Sequence, residues 1–293
     1  MQNILELYGK LKNIDIMSKR LSEGFFTGKY QSVFRGSGLE FNEVKEYQYG
    51  DDAKNIDWNV TSRMNGVFSK SFKEEREQNF FFIMDVSPSI DVGIGKISRR
   101  DMIGIVASIL SFSAVCNNDK VGAVFFSDRI EKIIMPVKGH RQVSKVANSM
   151  LKFLPEGSGS DLSIAIATVS KMIYRKSICI VISDFKTSKG WYELSLLAKK
   201  HDVIAIKIMD KIDSAIPVNG LLSIVDIETK QQGYFYGFYK RQTGMYKQFW
   251  ENHHSNWIQE CQKRGVSPLV INTDEDPVKA LMHFFRRRQF DLR

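Results

Sequence analysis

Asn79-Phe80-Phe81-Phe82-Ile83-Met84-Asp85-Val86-Ser87-Pro88-Ser89 is the stretch that decides the fold. From Phe80 to Met84 no polar residue alternates with the apolar ones, so neither face of the segment is meant for water. An apolar run that short, closed by a polar turn, reads as a strand buried on both sides. Such strands belong to parallel sheets covered by helices on each face.

Working outward, Ser98-Arg99-Arg100-Asp101 has the form of a capping box, and an apolar helix follows to about Val115. The pattern then predicts a strand at Val121–Phe126, an edge strand at Ile133–Val137 and helices near 141–153 and 162–174. Ser177–Ser183 is a second apolar, β-branched strand, and it too ends at an aspartate, Asp184. A helix near 191–200 and a strand at Val203–Met209 come next. Strands alternating with helices argue for an α/β fold with a mostly parallel sheet flanked by helices. Two strands are expected within Ile224–Tyr236, with Gly233 between or within them. A long helix at about 240–264 leads to Gly265 as its cap, then a strand at Pro268–Ile271 and a last helix around Leu281 and Phe285. On the amino-terminal side, Ile4, Leu7, Tyr8, Leu11, Ile14, Met17 and Leu21 recur at helical spacing. Residues 25–79 mix glycines, aromatics and charges, and predict turns and short strands, one of them at Val67–Phe72. The division expected is 1–78, an amino-terminal helix and small β-rich subdomain; 79–215, the α/β core; and 216–293, an α/β extension packed on the core.

Composition closes off several classes. A chain of 293 residues, 43% hydrophobic and 26% charged, can bury a core without disulfide staples. Cys116, Cys179 and Cys261 form no CxxC pair and the five histidines have no metal-type spacing, so neither a disulfide framework nor a zinc site is expected. The amino-terminal residues carry charges throughout and are not a signal peptide. The longest apolar-rich run, Ile103 to Cys116, falls short of the roughly 20 residues a bilayer needs. The expected location is the cytoplasm, with membrane association only through partners. The net charge of +9 is spread out, apart from Arg286-Arg287-Arg288. A nucleic-acid binder more often concentrates its charge in a stripe with interleaved aromatics.

In a parallel α/β sheet, ligands bind beyond the carboxyl ends of the strands. Asp85 and Asp184 end two such strands, Ser87 and Ser89 follow the first, and the loop Gly157-Ser158-Gly159-Ser160-Asp161 offers Ser160 at the same edge. Asp85, Ser87, Ser89, Ser160 and Asp184 are hard oxygen donors, suited to Mg²⁺ or Mn²⁺. Only two of the five are carboxylates, which leaves an ion under-neutralised and open to an Asp or Glu from a partner. The plainer alternative is that the aspartates cap the elements after them and the serines bond within their loops.

Asp85-Val86-Ser87-Pro88-Ser89, Ser160 and Ser183-Asp184 resemble the metal-ion-dependent adhesion site (MIDAS) of von Willebrand factor type A domains, with Ser160 where that family usually has threonine. Gly36-Ser37-Gly38-Leu39-Glu40-Phe41, Glu46-Tyr47, the segment Gly50-Asp51-Asp52 through Ile56-Asp57-Trp58, and Arg63 are similar to the signature of domain of unknown function family 58 (DUF-58). Asn272-Thr273-Asp274-Glu275 and Phe284 to Arg288 match the carboxyl-terminal pattern of that family. The resemblance runs from about residue 25 to 288. It implies a cytoplasmic bacterial von Willebrand type A-like protein, associated with a MoxR-type AAA+ ATPase. The function expected is a non-enzymatic, metal-ion-dependent protein-binding adaptor that works in chaperone-like maturation or assembly. The alternative is a metal-dependent nucleic-acid-binding protein or nuclease.

Asp51, Asp52, Asp57 and Arg63 are candidates for contacting a partner; the competing reading makes the segment a turn and strand, with Trp58 in the core and Asp57 paired with Arg63. Gly93-Ile94-Gly95-Lys96-Ile97 is no phosphate loop, because Ile90 and Ile97 replace the required glycine and hydroxyl. A phosphatase that uses Asp85 as nucleophile needs a carboxylate where Ser87 stands. No GxSxG elbow accompanies the histidines.

Overall fold

A computed structural model describes residues 40–49, 51–64, 66–73, 78–94, 97–187, 189–213, 221–225, 232–236 and 240–291. The chain divides into two compact units, one within residues 27–77 and one that holds residues 78–293. The helix expected at residues 4–21 lies outside the described residues.

The smaller unit pairs strand β1 (Glu40–Glu46) antiparallel with β2 (Phe68–Lys73), where a strand had been read at Val67–Phe72. Between them lie a 3₁₀ turn (Ala53–Asn55) and a four-residue helix α1 (Trp58–Thr61). Asp57 starts that helix by accepting the amides of Asn59 and Val60 at 3.0 and 3.3 Å. The strand and the buried Trp58 expected here are corrected: Trp58 is the first helical residue and is 69% exposed.

The larger unit is built on six strands. They are β3 (Asn79–Asp85), β4 (Lys120–Phe126), β5 (Ile130–Val137), β6 (Ile178–Ser183), β7 (Asp202–Met209) and β10 (Ser267–Asn272), in the order β10-β7-β6-β3-β4-β5. All neighbours run parallel except β5, which returns antiparallel on β4 as the edge strand anticipated at Ile133–Val137. Two further strands, β8 (Leu221–Val225) and β9 (Gln232–Tyr236), pair antiparallel in a separate hairpin, with Gly233 inside the second. Residues 216–293, expected as an extension on the core, supply β10 and hence an edge of the main sheet.

Helices α2 (Arg99–Cys116), α3 (His140–Lys152), α4 (Leu162–Met172), α5 (Trp191–Lys200), α6 (Lys240–Lys263) and α7 (Pro277–Asp291) flank the sheet. Phe81, Ile83, Val124, Val181 and Ala205 point into one core with Leu162, Ile166, Leu194 and Trp257, from α4, α5 and α6. Helix α2 packs against α3, α7 and the strands β3 and β7. Ser98 caps α2 by accepting the Asp101 amide at 3.0 Å. Nearly every residue of α2 from Met102 to Val115 is buried, as a helix apolar all round must be.

This topology decides where a ligand can sit. The strand β3 is central; β4 continues to one side of it, and β6 and β7 to the other. The order therefore reverses at β3, and in sheets of this kind ligands bind beyond the carboxyl ends of the strands at such a point. Asp85 closes β3, and Asp184 immediately follows Ser183 at the end of β6.

Candidate metal-binding site

Asp85 is fully buried, and its carboxylate organises what surrounds it. Its Oδ1 accepts the Ser87 amide at 2.9 Å, which bends the chain back straight after the strand. Its Oδ2 accepts two hydroxyls, Ser160 at 3.0 Å and Ser183 at 2.7 Å. The structure thus brings three of the expected loops onto one carboxylate. Ser87 Oγ and Ser89 Oγ lie 3.0 Å apart. Asp184 is 3% exposed, and its charge acts on Asp85. Burial first, and the Asp184 charge second, push the Asp85 carboxyl up to about 6.

The loop that presents Ser160 is held from below. Glu131 Oε1 accepts the Ser127 hydroxyl at 2.6 Å and the amides of Gly157 and Glu156 at 2.8 and 3.1 Å. Asp128 Oδ2 accepts the Ser158 amide at 3.3 Å. Gly157 is required by this packing, because a Cβ there would lie 2.0 Å from Ser127 Oγ and 2.3 Å from Asp128 Oδ1. After Asp184 the chain passes through Phe185 at φ 49°, a left-handed conformation rare for a bulky residue. Phe185 is held there by its amide on Ser183 Oγ at 3.0 Å and by its ring against Trp257, 5.1 Å between centroids. Strain held next to Asp184 fits a site whose geometry the surroundings over-determine.

A buried ion pair underlies the first loop. Arg99, 0% exposed, donates to Asp213 Oδ2 at 2.7 Å and to the carbonyls of Ser89, at 3.3 Å, and Val92. Asp210 extends the same tie, accepting the Ile94 amide at 3.1 Å and the Thr273 hydroxyl at 2.8 Å. Lys207, on β7 beside Ser183, is buried and lies 3.1 Å from His253 Nδ1. Burial pushes its ammonium down to about 8.

The donor set fits a hard divalent cation. The Ser87 and Ser89 hydroxyls are hydrogen-bonded to each other at 3.0 Å, a separation close to the edge of an octahedron of ligands about 2.0–2.1 Å from Mg²⁺. Ser160 donates its hydroxyl hydrogen bond to Asp85, which leaves its lone pairs for a cation. Asp184 Oδ2 is buried and accepts no hydrogen bond among the described residues. Among those residues no three His, Cys, Asp or Glu cluster at one metal position; the candidate set here draws on hydroxyls instead.

The second group of candidates, in the smaller unit, is engaged locally. Asp51 pairs with Lys45 at 2.9 Å, and Asp52 accepts the Lys54 amide at 3.0 Å. Asp57, besides capping α1, pairs with Lys70 at 3.4 Å, which replaces the expected partner Arg63. Arg63 is exposed. Sequence reading missed Glu131, Phe185, Arg99 and Asp213. A bulky residue after Asp184 carries no visible signal, and Arg99 and Asp213 are too distant in the chain to be linked by spacing.

A family model described as "Protein of unknown function DUF58" matches residues 43–244. An uncharacterized protein of Mycobacterium tuberculosis is 26% identical over 228 residues, 76% of this chain and 72% of that protein. A shorter protein of Mycobacterium avium is 26% identical over 136 residues, 46% of this chain and 80% of its own. Among solved structures, the conserved hypothetical protein BatB from Bacteroides thetaiotaomicron aligns with TM-score 0.49 and 16% identity over 73% of this chain and 99% of its own. The SpRpn10 VWA domain aligns with TM-score 0.42 and 9% identity over 70% and 94%. No described helix is long and apolar enough to cross a membrane.

Proposed function

The chain belongs to the DUF58 family, and on that premise we propose that it is a non-enzymatic adaptor that captures a partner protein through a MIDAS-type metal site. The observation that carries this reading is the convergence of Ser87, Ser89 and Ser160 around the buried Asp85 at the sheet edge where the strand order reverses. Ser87, Ser89 and Ser160 would hold Mg²⁺ or Mn²⁺, and Asp85 and Asp184 would hold the ion or its waters. The bound ion supplies a Lewis-acid position for an Asp or Glu of the partner.

The chain's own residues account for the binding chemistry. Asp85 orients the Ser160 hydroxyl by accepting its hydrogen bond, so that oxygen would need no reorganisation when a cation arrives. Ser160 keeps the oxygen a threonine would offer but lacks the methyl that stiffens it; Glu131 and Asp128 do that stiffening through the loop backbone. With hydroxyls outnumbering carboxylates, the site stays electron-poor and favours an added carboxylate. We further propose a MoxR-type AAA+ ATPase, or its client, as the partner. The test is capture from the lysate of the source cells with wild type in Mg²⁺, wild type in EDTA, and Asp85→Ala. Recovery of an AAA+ ATPase with wild type in Mg²⁺ alone supports the reading. The same proteins in all three would place docking on another surface.

A further inference from the structure

We propose that Lys186 is a tethered counter-cation of this site, which holds metal affinity low until a partner carboxylate arrives. The inference rests on the metal-site reading above and names how that site is regulated. Three observations carry it. First, Asp184 Oδ2, buried and without a hydrogen bond among the described residues, has Lys186 Nζ 3.7 Å away. The lysine therefore stands where the charge of a cation would otherwise be balanced. Second, the same Nζ lies 3.2 Å from Asp213 Oδ1, so Lys186 bridges the two carboxylates. Asp213 cannot follow the lysine, because its Oδ2 is locked by Arg99 at 2.7 Å and by the Asp210 amide at 2.9 Å. Third, the Lys186 side chain is 31% exposed and its Nζ lies 5.3 Å from the centre of the Trp250 ring, so the ammonium is held beside the site by two carboxylates and a ring face.

The charges then set an order of events. Asp85 and Asp184 bring two negative charges and Lys186 returns one positive, so a divalent cation entering alone leaves the site positive. An arriving carboxylate restores the balance with Lys186 still in place. Metal and carboxylate consequently favour each other's binding.

The test is Mn²⁺ titration followed by electron paramagnetic resonance, without and with acetate as the carboxylate probe. Lys186→Met should bind Mn²⁺ at least about tenfold more tightly than wild type, the lower bound for removing one charge close to a divalent ion. Acetate should raise wild-type affinity and raise that of Lys186→Met less. Lys186→Arg keeps the charge and should stay within about threefold of wild type. Equal or weaker binding by Lys186→Met overturns the inference and leaves the metal reading standing, provided Asp85→Ala has lost Mn²⁺. If Asp85→Ala binds as wild type does, or if wild type and Lys186→Met both fail to bind, the metal reading fails and the inference with it.

Discussion

Replacing Asp85 by asparagine separates what the carboxylate costs the fold from what it gives the site. Asp85 is completely buried and its carboxyl is pushed from 3.8 to about 6. At about 1.4 kcal/mol per unit, holding it ionised at neutral pH costs about 3 kcal/mol. Asparagine has the same shape and its oxygen can still accept the Ser87 amide. Its amino group cannot accept the hydroxyls of Ser160 and Ser183, a loss of about 1 kcal/mol or less for each, since hydroxyls can turn. In EDTA at pH 7.5, Asp85→Asn should therefore be more stable than wild type by about 1–2 kcal/mol in urea denaturation. The sign of the pH dependence follows from the same shift. Between 3.8 and 6 the native state binds the proton more tightly than the unfolded state does. Wild type accordingly gains from this group as pH falls through 6, so the gap to the variant closes near pH 5 and wild type is the more stable by about pH 4. Saturating Mg²⁺ should reverse the ranking, because only wild type gains binding energy from the ion. A variant less stable than wild type in EDTA at pH 7.5 would refute the reasoning.

Lys207→Met should behave in the opposite pH direction. The buried ammonium sits near 8 instead of 10.5, so wild type becomes more stable relative to the variant as pH rises from 7 to 10, by about 2 kcal/mol; a flat difference would show that Lys207 carries no such burden. Gly157→Ala drives a methyl into Ser127 and Asp128, and should cost about 1–3 kcal/mol in urea denaturation while weakening Mn²⁺ binding through the displaced Ser160 loop. A variant with unchanged stability and affinity would show that this loop tolerates repacking.

Much of the sheet was readable because its strands are buried on both faces and so appear as unbroken apolar runs. Phe80–Met84 and Ile178–Ile182 show this, and each ends at the aspartate that enters the site. Ser160 was readable for a different reason: a Gly-Ser loop before a helix has little to do but present its hydroxyl or cap. The strand now called β10 was also visible, but its place beside β7 was not, because pairing depends on a partner far off in the chain. Trp58 was misplaced because a large aromatic next to a charged turn looks like core. A carboxylate that caps a four-residue helix instead leaves it exposed. Asp57 was matched to Arg63 by proximity in sequence, whereas the β1–β2 hairpin puts Lys70 beside it. Lys186 was passed over because only the fold reveals that a lysine two residues after Asp184 reaches back to it and to Asp213.

The central claim is that these oxygens hold a divalent cation, and titration calorimetry tests it most directly. Mg²⁺ is injected into metal-free wild type and into metal-free Asp85→Ala, both shown to be folded by circular dichroism. Wild type should bind a single ion saturably, and the variant should bind none. Equal binding by both proteins, or none by wild type, would contradict it.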